Sequence, residues 1–456
     1  MMACKFSWHQ RGLTLIELMV AMVLGLLVAA GIVTVFASTS TSNKAQTQLA
    51  RLQEEGRFAI TRISSDLRMA NGQYCTNTGG VAKPGSGGTY LDHLRAPKVY
   101  AQNLSGAAGA VSGALADVTT VWGAASGSGG NYPSKPSVSY TMPSFLFMRG
   151  YECGLTTCTP ANPSVAGLPA MGANLGNRVK GADVLTVRYV NPSSGWSVGG
   201  AGTSIATSSS VGTINTIQLK QLSGEPPVTN FAATDLAMLA DCSNAQIFAV
   251  GTVASGLLTV SGGANWTDSS PAAQQPESAP KVFDVNRDFQ TVTYYLKVVS
   301  VNNDGQAPFT GALMRRVNGG TANASHGGSE DELLRGIERL DFMYGVQDSS
   351  GNTSFLNANA VDASTDCPPA ELGALTPATG CLWRGIKSIE VSILMDGQVP
   401  LYTLNGNDLF YSYSQDTQTG LVAPTAHGIR PSDQGFPDQL LRREFNALVA
   451  VRNYNP

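Results

Sequence analysis

The chain has 456 residues, a charged fraction of 13%, 50 glycines and a formal net charge of −3. So mild a charge does not imply a nucleic-acid partner, and no cluster of basic and aromatic residues supplies one. Low charge with abundant glycine points to an exported, loop-rich β protein and away from a cytosolic enzyme.

The first element is a junction. A short basic stretch holding Lys5 and Arg11 ends at Gly12, and Leu13-Thr14-Leu15-Ile16-Glu17 opens an almost unbroken apolar run to Ala37. That run is about as long as a membrane span needs, near 20 residues. The basic flank predicts a cytoplasmic N-terminus by the positive-inside rule. Glu17 is out of place in such a span. A charged residue there costs about 2.5–3.5 kcal/mol on insertion scales, so it is a functional candidate. A secretory signal fits less well, because no small-x-small site follows a short apolar region. A plain signal anchor accounts for the basic flank but for neither Gly12 nor Glu17. Ala21, Gly25 and Ala29 are spaced by four, which permits close helix approach in lipid.

The helix is expected to continue past the span. Ala45, Leu49, Leu52, Gly56, Ala59, Ile63, Leu67 and Ala70 recur at steps of three and four, one face of an α-helix. No proline interrupts residues 13–83, and Asn71-Gly72 is a suitable C-terminal cap. The pattern predicts one helix over 13–70, apolar all round at 13–37 and amphipathic at 44–70. Its second half lies under a globular head; a free coiled-coil neck is the alternative.

From Cys75 onward the period changes to two. Leu185-Val187-Tyr189, Val292-Tyr294-Leu296-Val298, Leu340-Phe342-Tyr344 and Ile389-Val391-Ile393-Met395 alternate with polar residues. Ile247–Val250, Ala312–Met314, Glu332–Leu334 and Phe445–Arg452 are further candidates. These predict half-buried antiparallel strands. Long Gly/Ala/Ser/Thr-rich stretches at 76–145, 191–213 and 261–280 are expected to be loop insertions on a head spanning 71–456.

Cys4 lies in the basic leader. Cys75, Cys153, Cys158, Cys242, Cys367 and Cys381 form an even set, which in an exported domain reads as disulfides. Local spacing favours Cys153–Cys158 and Cys367–Cys381, leaving Cys75–Cys242. No Cys-x-x-Cys occurs, and the four histidines lack ligand spacing, so no metal is expected. The short acidic segments Asp284–Asp288 and Asn302–Gly305 read as turns before calcium loops. No Gly-x-Ser-x-Gly elbow, His-Glu-x-x-His or P-loop is present, so neither catalysis nor a cofactor is expected.

The junction resembles the class III signal of type IV prepilins and type II secretion pseudopilins: a basic leader, Gly12, Thr-Leu-Ile-Glu17, then an apolar helix. The resemblance implies that a prepilin peptidase removes residues 1–12 and methylates Leu13, where the family usually has phenylalanine. Glu17, fifth in the mature chain, would then serve assembly. More narrowly, four patches resemble PilW-type minor pilins: Asp66–Gly72 into Cys75; Asp241-Cys242-Ser243 into Ile247-Phe248; Leu334–Glu338 into Phe342–Val346; and Leu441–Phe445 into Val451–Asn453. What this implies is an α+β, type IV pilin-like fold, with a long N-terminal helix on an antiparallel β-sheet head. The implied function is a minor pilin that inserts in the inner membrane with a periplasmic head and helps initiate the pilus at its tip. Its partners would be other minor pilins, the major pilin and the prepilin peptidase. A minor pseudopilin of type II secretion is the nearest rival, and a tip adhesin using the Gly/Ser-rich insertions is a second function the chain could serve.

Overall fold

A computed structural model describes residues 14–72, 81–85, 88–92, 98–100, 123, 130–134, 136, 138–163, 168–199, 205–207, 214–231, 235–240, 245–260, 280–366, 379–399, 431–437 and 439–452. Helix α1, Leu15–Met69, is 55 residues long, about 80 Å at 1.5 Å per residue. It ends where Ala70 leaves helical geometry and Asn71 takes a left-handed φ of 61°. Asparagine tolerates that conformation better than most residues.

Ten strands build the centre of the head and are numbered in chain order: β1 Met148–Cys153, β2 Cys158–Thr159, β3 Val184–Val190, β4 Phe289–Ser300, β5 Phe309–Val317, β6 Ser329–Arg335, β7 Ile337–Gln347, β8 Thr353–Leu356, β9 Ile386–Asp396 and β10 Arg442–Ala450. One sheet has the order β6-β5-β4-β3-β1-β2 and the other β8-β7-β9-β10. Every neighbouring pair is antiparallel. The chain passes between the sheets at Gly336. There a φ of 83° lets its N–H reach Gly311 O while its carbonyl accepts from Asp396 N.

The expectation of half-buried strands needs correction at the centre. All seven residues of β3 are buried. Leu185, Val187 and Tyr189 join Val292, Tyr294 and Leu296 in the main core beneath α1. The opposite face packs Val184, Tyr295 and Met314 with Cys153 and Cys158 in a second core. The polar alternates between them are paired instead of solvated. Thr186 and Thr293 share a 2.8 Å hydrogen bond, and Arg188 donates to Thr291 Oγ1 and Leu146 O. Period two marks the two faces of a strand; it does not say that one of them is wet.

A second correction concerns the glycine- and serine-rich stretches. Lys98–Val99, Tyr140–Thr141, Trp196–Val198 and Ile205–Thr207 are strands of a nine-stranded side sheet, arranged around Leu236–Ala240 and Ala245–Ala254. That sheet has its own apolar core, including Trp196, Ile217, Phe248 and Val282. Strands of two or three residues carry almost no periodicity of their own, so only the neighbours they pair with reveal them.

Candidate functional site

The functional candidates lie along α1. Thr14 is its N-cap. Thr14 N and Oγ1 donate to the Glu17 carboxylate at 3.0 and 2.9 Å, and Glu17 N donates to Thr14 Oγ1 at 3.3 Å. This is a reciprocal capping box. The sequence spells it as Thr-x-x-Glu, a signal that reading Glu17 only as an intramembrane acid overlooks. The carboxylate also sits at the positive end of the helix dipole. Gly12 and Leu13 lie outside the described residues.

Beyond the cap the helix is bare. Large apolar side chains from Leu15 to Phe36 are exposed on every side, with Leu26 at 71% and Phe36 at 73%. Apart from the helix's own backbone and their chain neighbours, nothing among the described residues comes within 4 Å of where a Cβ would stand on Gly25 or Gly31. The segment is long and apolar enough to cross a membrane.

The second half of α1 is locked to the head. Gln48, Leu52, Gly56, Ala59, Ile63, Asp66 and Leu67 are buried. Leu49, expected on this face, is instead exposed, and Gln48 turns inward against Gly397 after β9. Helical spacing places both residues at the margin of the apolar stripe, and the shape of the sheet decides between them. Gly56 lies on the Phe445 ring of β10 so closely that a Cβ would stand 2.6 Å from it.

Asp66 carries the polar part of the lock. Its Oδ1 accepts from Tyr189 Oη at 2.8 Å and Arg315 Nη2 at 3.2 Å; its Oδ2 accepts from Arg315 Nε at 2.7 Å and from Tyr294 Oη. The partners come from β3, β4 and β5, so one helix carboxylate ties three strands to the stem. Burial alone raises the Asp66 pKa, but the Arg315 hydrogen bonds and charge, aided by the two hydroxyls, hold it below the ordinary carboxylate value. Tyr189 and Tyr294 are both pushed up, first by burial and then by the Asp66 charge. A buried ion pair persists only where its remaining lone pairs are satisfied, and here they are. Asp66 is legible in the sequence only as an acid on an otherwise apolar helix face.

Two further buried pairs brace the head. Arg442 makes a bidentate contact with Glu338 at 2.7 and 2.9 Å, fastening β10 to β7. Arg149 Nη1, Tyr132 Oη and Trp383 Nε1 converge on Asp362 Oδ1. Cys153 and Cys158 form a disulfide, over which Arg178 lies, its Nη1 3.5 and 3.6 Å from the two sulfurs. Cys381 is disulfide-bonded as well; Cys75, Cys242 and Cys367 lie outside the described residues. Asp284–Asp288 forms one helical turn capped by Asp284, with Arg287 paired to Asp288. No group of three or more His, Cys, Asp or Glu among the described residues is placed to hold a metal ion. The arrangement as a whole is a mechanical joint: a bare apolar rod fixed to a braced head.

Comparison with known proteins agrees with this division. The family described as type IV pilus-assembly protein W, PilW, matches residues 293–453, most of β4 through β10. The prokaryotic N-terminal methylation motif matches residues 9–33, the junction and the bare stem. No curated protein matches the chain. The solved structure of the type IV-like pilin TTHA1219 from Thermus thermophilus aligns at 14% identity, over 49% of this chain and 87% of that one, with a TM-score of 0.16. At that score the alignment bears on nothing below.

Proposed function

We propose that the chain, similar to PilW over residues 293–453 and to the N-terminal methylation motif over residues 9–33, is a type IV minor pilin that helps to prime the filament at its tip. It enters the inner membrane through residues 13–37, with its head in the periplasm. A prepilin peptidase cuts after Gly12 and methylates Leu13. The head then joins other minor pilins and the major pilin, and the assembled subunit reaches the cell surface.

The observation that carries this reading is the bare stem rigidly joined to the head. Exposed side chains from Leu15 to Phe36 are unstable in water and need lipid or neighbouring stems. Glu17 is exposed and, among the described residues, held only by Thr14 in its own first turn, so the carboxylate is available to an incoming charge. In an apolar filament core an unpaired carboxylate is costly, which favours its docking on the new amine of an adjacent subunit. That pairing sets the register of otherwise uniform apolar helices.

Two variants test the reading. Gly12→Val leaves a full-length precursor in the inner membrane; a normally shortened product on immunoblots refutes processing at this site. Glu17→Ala still inserts but is depleted from sheared pili, and wild-type abundance in that fraction refutes the pairing role. The side sheet, with a core of its own, gives the head a surface beyond the part that grips the stem. This favours adhesion as an added role of the same subunit. Loss of pili on deletion marks priming; normal pili that fail to attach mark adhesion.

A further inference from the structure

Among the described residues, the strand that closes the four-stranded sheet leaves one side open. β10 pairs with β9 along Arg442–Ala450 and with no other strand among the described residues. Gly397 N donates to Leu441 O, and Val451 N to Lys387 O. These bonds fix the phase of the ladder: odd-numbered residues bond to β9, and even-numbered residues point N–H and C=O outward. Among the described residues, no strand pairs with the outward backbone of Asn446, Leu448 and Ala450. Past Glu444 the strand lacks the usual protections of an edge. No charge or proline lies between Phe445 and Val451, and the β9–β10 register has no bulge. Leu448 is 63% exposed. Helix α1 lies above this strand with Gly56 on Phe445.

We propose that this edge takes up a strand from the head of a second pilin subunit, continuing the four-stranded sheet across the subunit boundary. The proposal rests on the filament reading above, in which parallel stems set heads side by side. The chemistry of the guest strand follows from the edge. It is extended, apolar where it meets Leu448 and Ala450, and flanked by acids, because Arg443 and Arg452 bracket the apolar run and pair with no carboxylate among the described residues. This chain's own far edge shares part of that format, an exposed aromatic with acids gathered at one end. β8 is the opposite edge strand of the same sheet, with Phe355 exposed. Asp348 sits in the turn before it and accepts from Asn352 N, while Asp366, which follows it in the chain, folds back to accept from Ser349 N at the same end of the strand. Joining a β10 edge to a β8-like edge on the next subunit is a head-to-tail contact, the kind that propagates helically without closing.

Proline at position 448 tests this, because it removes an outward N–H and no bond to β9. In cells making the full chain, L448P and L448T accumulate in the membrane at wild-type level. L448T, which keeps the N–H, co-purifies with other pilins, whereas L448P loses at least tenfold. Co-purification of a stable L448P at the wild-type level overturns the proposal. If L448P is degraded, a photo-crosslinking residue at position 448 decides instead. The expected product joins it to a head strand of another pilin, identified by peptide sequencing. Crosslinks confined to its own chain, or to a protein that is not a pilin, overturn the proposal. The filament reading fails on a separate observation, absence of the unmodified chain from sheared pili.

Discussion

The two halves of α1 share one continuous helix and solve opposite problems. From Leu15 to Phe36 the large apolar side chains are exposed on every side. From Gln48 to Leu67 one face is buried, and it contains an acid and a glycine as well as apolar residues. The first half depends on generic greasiness, which any lipid tail or neighbouring stem satisfies. The second depends on fit: Gly56 admits the Phe445 ring, and Asp66 meets Arg315 and two tyrosines. On the function proposed above, a subunit that leaves the membrane and enters a filament needs a stem that changes partners and a head that does not slip on it.

Breaking the lock gives the largest effect. Asp66→Leu leaves the largely buried Arg315, 12% exposed, without its carboxylate, a loss of up to about 3–5 kcal/mol by the measure of a broken buried pair. Urea denaturation of the detergent-solubilised protein, followed by tyrosine or tryptophan fluorescence, measures it. A midpoint unchanged from wild type disproves the lock.

Overpacking the joint comes next. Gly56→Val drives a side chain into the Phe445 ring and destabilises by about 1–3 kcal/mol. Adding Phe445→Ala restores part of the loss, because it vacates the space the valine needs. If the double variant is less stable than the sum of the two single ones, the contact is not the cause.

A pH series sharpens the comparison further. The folded pKa of Asp66 is depressed, so its stabilisation is present above about pH 4, its unfolded value, and is lost as pH falls through the folded one. Asp284 in the side sheet has the opposite sign. Burial, then the charge of Asp288, raises it to about 7, so its cost grows as pH climbs from about 4 to about 7. Asp284→Asn, which still caps the turn, is expected to gain about 1 kcal/mol at pH 8, the scale of an ordinary substitution, and nothing at pH 4. Melting temperatures at the two pH values check it; an equal gain at both refutes the shift.

The smallest effect falls on the bare half. Thr14→Ala removes the cap, costing the stem about 1 kcal/mol locally, and leaves head stability unchanged. Hydrogen exchange separates the two: faster exchange at residues 15–18 with unaltered head amides is expected, and altered head amides disprove the independence of the halves.

Much of this was readable along the chain. The apolar run after Gly12 and the steps of three and four from Ala45 to Ala70 define the stem. The alternation at Leu185, Tyr294, Phe342 and Ile393 gives an antiparallel β head and, with the helix, the α+β class. These are local patterns, and local periodicity encodes which face of an element is apolar. It does not encode what that face meets. The hydrogen bonds to Asp66 come from Tyr189, Tyr294 and Arg315, 123, 228 and 249 residues away, so only the topology could reveal the lock. The same holds for Leu49 against Gln48 at the margin of a helical stripe, for the buried Thr186 and Arg188 on a strand covered from both sides, and for the two-residue strands in the Gly/Ser-rich stretches. Where β10 falls in its sheet was likewise decided in three dimensions. A strand's sequence records its pleat, but whether its outer edge stays open depends on which strand the rest of the chain lays beside it.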